Sequence, residues 1–442
     1  MPTKFYEDPI DPYLPQNGNR GYRVSRYDLE LQYKVDSNRL TAKATITAVT
    51  TEVLTKFALD LSQSLSVTKV SVNGARAAKH GHQHGKLTIT PQQKIPAGGA
   101  LSISVQYGGT PKPIRSLWGE VGWEELTEGI IVASQPNGAA SWFPCDDHPS
   151  SKASYRISVT TDSPFYALAN GSLLRKQTKA SHTTWVYEQA EPMATYLATV
   201  QIGSYERRRF VGGIVPMSAI LPPRLRVPFE HDFERQPQMM ETFTRLFGPY
   251  PFAEYTVVVT DDDLEIPIEA QGISIFGANH CDGRRGAERL VAHEMAHQWF
   301  GNSLTLTAWK DIWLHEGFAC YAEWLWSEES GGPTAEQLAR AARHNLARLP
   351  QDIVVGDPGP ELMFDDRVYK RGALTLHTLR IELGDEQFFA LLHEWTAKHR
   401  HSSVTTQEFT DLAAHFTSIP LRRLWDAWLR EKELPELPPH SA

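Results

Sequence analysis

A multi-domain α+β fold is what this sequence predicts: an N-terminal antiparallel β domain followed by a mainly helical domain. Three observations carry that expectation. At 442 residues the chain exceeds one ordinary hydrophobic core, which points to two or three domains. From Tyr22 to Gly203 apolar and polar residues alternate, in YDLELQYKV, ATITAVTT, KLTIT and LSISVQY, and a period of two is the mark of strands. From Glu288 onward the apolar period is mostly 3.6, as amphipathic helices require.

Taken in order, the first half is punctuated by Asn73-Gly74, Gly98-Gly99 and Asn170-Gly171, dipeptides that accept the positive φ of tight turns. The segment HGHQHG, with His80, His82 and His84, has metal-binding composition, but its glycines and flanking strands predict a solvated hairpin loop. The run Arg207 to Arg209 reads as a solvated surface strand rather than an anion site. The change of period places a boundary near residue 204, giving domains at 1–204 and 205–442. Beyond it, Phe229 to Phe247 predicts a helix and Thr256 to Thr260 a short strand, before helices take over.

A net charge of −8 argues against nucleic acid or an anionic membrane surface as partner, since both require a basic footprint. No stretch of about 18 apolar residues occurs, and the first residues lack the apolar core of a secretory signal, so the expected location is cytoplasmic. Cys145, Cys281 and Cys320 lie far apart, which predicts buried thiols and no disulfide framework.

The chemistry is concentrated in VAHEMAHQWFGN, from Val291 to Asn302, and WLHEGFACYAEW, which holds Glu316. On a helix His293 and His297 stand at i and i+4, one turn apart on one face, so both imidazoles address one point. A catalytic zinc site takes three protein ligands and leaves a place for water. Glu316, 19 positions after His297, is the natural third donor, presented from a second helix. Glu294, adjacent but not a ligand, is the candidate base. Glu323 lies two turns beyond Glu316 on the same helical face, where it can fix the tautomer of a ligand histidine. The plain alternative is a hydrogen-bonded pair of core histidines. The apolar surroundings of the pair (Leu290, Val291, Ala292, Met295, Ala296, Trp299 and Phe300) weigh against it, because an unpaired buried ring is costly.

These segments, together with VYKRGAL (Val368 to Leu374) and SQPNGAASWFPCDDHPSSKASY, resemble the aminopeptidase N-like gluzincin zinc metallopeptidases, a group that includes leukotriene hydrolase. The resemblance implies a saddle-shaped β domain over a thermolysin-like catalytic domain, with the active site in the groove between them and one zinc per chain. It implies that Tyr369 donates to the transition-state oxyanion, and that Glu269, helped by Gln135, binds the free α-ammonium of a peptide substrate.

The exopeptidase signature, commonly Gly-Ala-Met-Glu-Asn in that family, departs here to Ile266-Pro267-Ile268-Glu269-Ala270. Only the glutamate survives, and it follows a run of acids (Asp261, Asp262, Asp263, Glu265) in which it could be one more loop carboxylate. Gln135 supplies an acceptor without charge, and His315 stands where the family usually has asparagine. The expected function is zinc-dependent hydrolysis of the N-terminal peptide bond. A zinc endopeptidase, an epoxide hydrolase-like enzyme and a non-catalytic peptide-binding relative are the alternatives.

Overall fold

Alternation in the first half of the chain is realised as sheet. In the computed structural model, which describes residues 10–439, eight strands pair in the order Ser172–Lys179, His182–Met193, Ala153–Asp162, Tyr22–Lys34, Arg39–Thr50, Ala100–Gly109, Leu65–Val72 and Ala75–Arg76. Tyr27, Leu29, Leu31 and Tyr33 are buried from every second position of the Tyr22–Lys34 strand, the pattern of a sheet with one face on a core. One pairing departs from the antiparallel expectation: Tyr22–Lys34 runs parallel to Ala153–Asp162, with Leu29 opposite Ile157. Parallel neighbours need a long connection, and the strands that lie between them in sequence supply it.

A five-stranded sheet (Tyr166–Ala169, Val200–Gly203, Gly129–Ala133, Gly119–Leu126, Ile114–Ser116) and a three-stranded one (Phe57–Asp60, Lys86–Thr90, Lys79–Gln83) complete this region. The histidine-rich segment is mostly strand, not loop. Lys79–Gln83 pairs with Lys86–Thr90, and only His84 and Gly85, at φ of +52° and +73°, form the two-residue turn. The His/Gly alternation thus follows the strand period. His82 Nε2 lies 2.9 Å from the Leu61 carbonyl, and none of the three histidines joins a metal-suited group among the described residues.

By internal packing the chain falls into two units. The first runs to Arg208 and takes in Ser218–Leu225 and Phe252–Ala278; the second holds Arg209–Met217, Arg226–Pro251 and the chain from Asn279 on. The segment from Phe252 gives the first unit the strands Tyr255–Val259, Ile273–Phe276 and Ile268–Ala270, paired in that order.

The second unit is built on helices: Arg226–Phe233 (α1), Gln236–Phe247 (α2), Glu288–Ala296 (α3), Trp313–Glu329 (α4), Ala335–Leu346 (α5), Asp366–Leu383 (α6), Asp385–Lys398 (α7) and Thr406–Ala413 (α8). The helix expected over 229–247 is therefore two. Pro237 sits in the first turn of α2, where its missing N–H is no loss, but it cannot continue a helix arriving from α1. Every residue of α4 from Trp313 to Trp326 is buried, so α4 is a core helix enclosed on all faces. Around it Phe300 stacks on Phe318 at 4.4 Å, and Phe409 meets Phe318 and Trp395 edge-on at 5.3 and 5.2 Å.

Against α6 the contact is backbone on backbone. A Cβ placed on Gly317 would lie 2.9 Å from the Cα and carbonyl carbon of Gly372, so the crossing exists only because both residues are glycine. Cys145, Cys281 and Cys320 are all buried, and none is in a disulfide. Among the described residues no helix is long and apolar enough to cross a membrane.

Candidate functional site

The HEMAH segment forms the end of α3, with His293 in its last turn and His297 as the residue that closes it. Buried Val291, Ala292, Met295 and Ala296 fix the helix in the core and so fix the face on which both imidazoles stand. The chain then reverses at Gly301, whose φ of +133° is in the range that favours glycine. A Cβ there would come within 3.2 Å of His297 Nδ1. This turn leads into α4, whose first turn carries Glu316.

Three donor atoms converge. Glu316 Oε2 lies 3.3 Å from His293 Nε2 and 3.4 Å from His297 Nε2, and all three side chains are buried. They form a group whose ligand atoms lie within 4.8 Å of one another. Two neutral imidazoles and one carboxylate at that separation are a donor set suited to zinc. Both Nε2 atoms and the Glu316 oxygen point to one place, and with the Nε2 protons given up all three offer a lone pair there, so the residues fit the ion.

Electrostatics follow from burial and mutual contact. Desolvation works to lower the His293 pKa, but hydrogen bonds to Glu316 and Glu323 outweigh it and lift the ring to about 9. Desolvation would raise Glu316, yet the charge of His297 and hydrogen bonds from both rings carry it well below the carboxylate range. Glu294, 4% exposed, is raised by burial, against the pull of the two imidazoles. That is the direction that makes a carboxylate a better proton acceptor.

The outer supports are equally defined. His293 Nδ1 is 2.7 Å from Glu323 Oε1, and His297 Nδ1 is 3.0 Å from the Phe300 carbonyl. Each acceptor holds a proton on Nδ1, so Nε2 is the ring nitrogen that faces Glu316 and offers its lone pair once deprotonated. Arg289 Nη1 donates to the other oxygen of Glu323 at 2.8 Å. Tyr369, half-buried on α6, lies over His293 with ring centroids 6.1 Å apart at 16°. His315 does not join the donor set: its Nε2 accepts the Leu306 N–H at 2.9 Å.

In the first unit Glu269 and Gln135 are together. Glu269 is 6% exposed on the short strand Ile268–Ala270, and Gln135 Nε2 donates to its Oε1 at 2.7 Å. The glutamine thus uses its donor on the carboxylate and keeps its amide oxygen as an acceptor.

Comparison with known proteins agrees with these motifs. The family model for the peptidase family M1 domain matches residues 231–428, and that for the peptidase M1 N-terminal domain matches residues 24–197. The chain belongs to peptidase family M1. A solved M1 zinc metallopeptidase from Deinococcus radiodurans is 29% identical, with a TM-score of 0.89, covering 98% of this chain and 99% of that one. A mutant of that metallopeptidase, bound to a Tyr-Ser-Ala substrate, is 28% identical with a TM-score of 0.89, over 98% of this chain and 99% of its own. Human glutamyl aminopeptidase is 25% identical over 333 residues, 70% of this chain and 35% of that protein. Rice aminopeptidase M1-D is 22% identical over 445 residues, 93% of this chain and 50% of that protein. The chain thus spans half or less of the length of these two relatives. As in the M1 metallopeptidases, its cofactor is zinc.

Sequence reasoning did not single out Arg289, Gly317 or Gly372. A signal existed for each. Arg289 precedes His293 by one helical turn and so shares its face, and the two glycines interrupt otherwise helix-forming runs, where glycine is disfavoured unless packing needs it.

Proposed function

We propose that this M1 chain is an aminopeptidase that removes single residues from peptides with a free N-terminus. Zinc, when bound, brings the pKa of its water toward neutrality and polarises the scissile carbonyl. His293, His297 and Glu316 hold the ion, and Glu323 fixes the His293 ring that does so. Glu294 takes the proton of the attacking water and delivers it to the leaving amine. Tyr369 donates its phenol hydrogen to the carbonyl oxygen as negative charge develops there, a contact worth about 3 kcal/mol in comparable sites. Glu269 accepts the substrate ammonium in a charge-assisted hydrogen bond, and Gln135 steadies Glu269 and adds its own amide oxygen.

Glu269 is the observation that carries the exopeptidase reading. A carboxylate kept almost out of water and held by a neutral amide is a prepared site for a cation, and an N-terminal ammonium is the cation a peptide offers. The Tyr-Ser-Ala substrate of the Deinococcus metallopeptidase supports a peptide as that partner. The test is hydrolysis of aminoacyl chromogenic amides beside their N-acetylated forms, with and without a chelator. We expect cleavage of the free amines alone, abolished by chelation; equal cleavage of blocked substrates would make the chain an endopeptidase instead.

A further inference from the structure

Within the second unit a cavity of about 700 Å³ opens between α4, α5 and the start of α6. Glu323 lines it, whereas His293, His297 and Glu316 do not. One part of its wall is apolar, with buried Trp324 and Leu346 beside Leu338 and Ala342. Of the cations that line it, Arg235 is closed on Glu288 by a 3.0 Å ion pair. The other two, Lys370 and Arg289, keep donors to spare.

Lys370 is the first. Its side chain is 25% exposed, and its nearest polar atom is the Cys320 sulfur at 3.3 Å, a thiol that burial keeps protonated. The carboxylates of Asp366 and Glu323 stand 3.9 and 4.0 Å away, beyond hydrogen-bond reach. An ammonium has three donors, and here no carboxylate takes one of them. Arg289 is the second: it spends Nη1 on Glu323, and with a side chain 57% exposed it has further N–H groups for a second acceptor.

We propose that this cavity is a binding site for an organic carboxylate with an apolar body. The carboxylate bridges Lys370 and Arg289, completing the hydrogen bonding of both, and the body covers Trp324, Leu338 and Leu346. Charge-assisted contacts at one end and desolvation at the other are the usual division of labour in a small-molecule site. Because Arg289 is shared with Glu323, the occupant sits against the support of a metal ligand without touching the metal.

The probe is 3-phenylpropionate, titrated calorimetrically into the zinc-loaded protein, with 3-phenylpropionamide as its uncharged counterpart. We expect saturable binding of the acid and none of the amide. Ala342→Trp, which fills the cavity from α5, and Lys370→Met, which removes the ammonium, should each weaken binding by about tenfold or more. No saturable binding, or equal binding of the amide, overturns the proposal. Undiminished binding to Ala342→Trp also overturns it, because the acid would then be held elsewhere, at the metal for example. Should Lys370→Met not fold, the amide and Ala342→Trp still decide.

Discussion

Replacing Gly317 by alanine tests whether the close passage of α4 and α6 sets the active geometry. The added Cβ would stand 2.9 Å from two backbone carbons of Gly372, whereas non-bonded carbons rest about 3.5–4.0 Å apart. The helices must therefore separate by roughly 0.6–1 Å. Overpacking of this kind costs about 1–3 kcal/mol, offset by about 1 kcal/mol from exchanging a helical glycine for alanine, so the net loss of stability is about 0–2 kcal/mol. The kinetic effect is larger. Gly317 follows Glu316 directly, and Gly372 lies one turn beyond Tyr369, so the separation moves the phenol away from the position it must hold. A displacement near 1 Å can cost about a hundredfold in rate. Steady-state hydrolysis of an aminoacyl amide, with zinc content and thermal melting measured on the same samples, should show kcat reduced about ten- to a hundredfold and zinc retained. Wild-type kcat together with a raised melting temperature would refute the reasoning, since the helices would then have absorbed the methyl group without consequence.

Glu294→Gln should retain zinc and lose about 10²–10⁴-fold in kcat; normal turnover would remove Glu294 from the role of base. Glu269→Ala should raise KM for free-amine peptides by about tenfold or more, on the scale of a lost charge-assisted hydrogen bond, and an unchanged KM would contradict ammonium recognition. In the first unit, burial and the neighbouring charge of Asp60 push Asp147 up from 3.8 to about 8. Folding therefore takes up a proton between those values, so this contribution is complete below 3.8 and lost as the pH rises to about 8. Melting temperatures compared at about pH 6 and about pH 9 should fall less in Asp147→Asn than in the parent; equal falls would assign the dependence to other groups.

Much of the site could be read along the chain because its spacing is a property of one helix at a time. His293 and His297 share a face wherever a helix forms over them, and Glu316 and Glu323 do so on the next helix, so the 3.6-residue period already brought each pair into register. The change of period likewise separated a strand-rich first part from a helix-rich second part, although strands recur at Tyr255–Val259, Ile268–Ala270 and Ile273–Phe276. Local pattern was less able to place breaks. The helix read over 229–247 divides before Pro237, and the histidine segment read as a loop is a strand with a two-residue turn, because its small and polar residues conceal the alternation.

The sequence by itself determined which side chains could serve a metal and in what order they come, since ligand type and helical offset need no tertiary contact. Only the tertiary structure decided that Glu316 Oε2 stands within 3.4 Å of both imidazoles, that Gln135 grips Glu269 across the intervening chain, and that Arg289 and Lys370 border Glu323. Those relations join residues from different elements, and their distances depend on how closely backbones pack. At Gly317 and Gly372 that closeness rests on the absence of two methyl groups, a condition visible as letters but meaningful only once the helices cross.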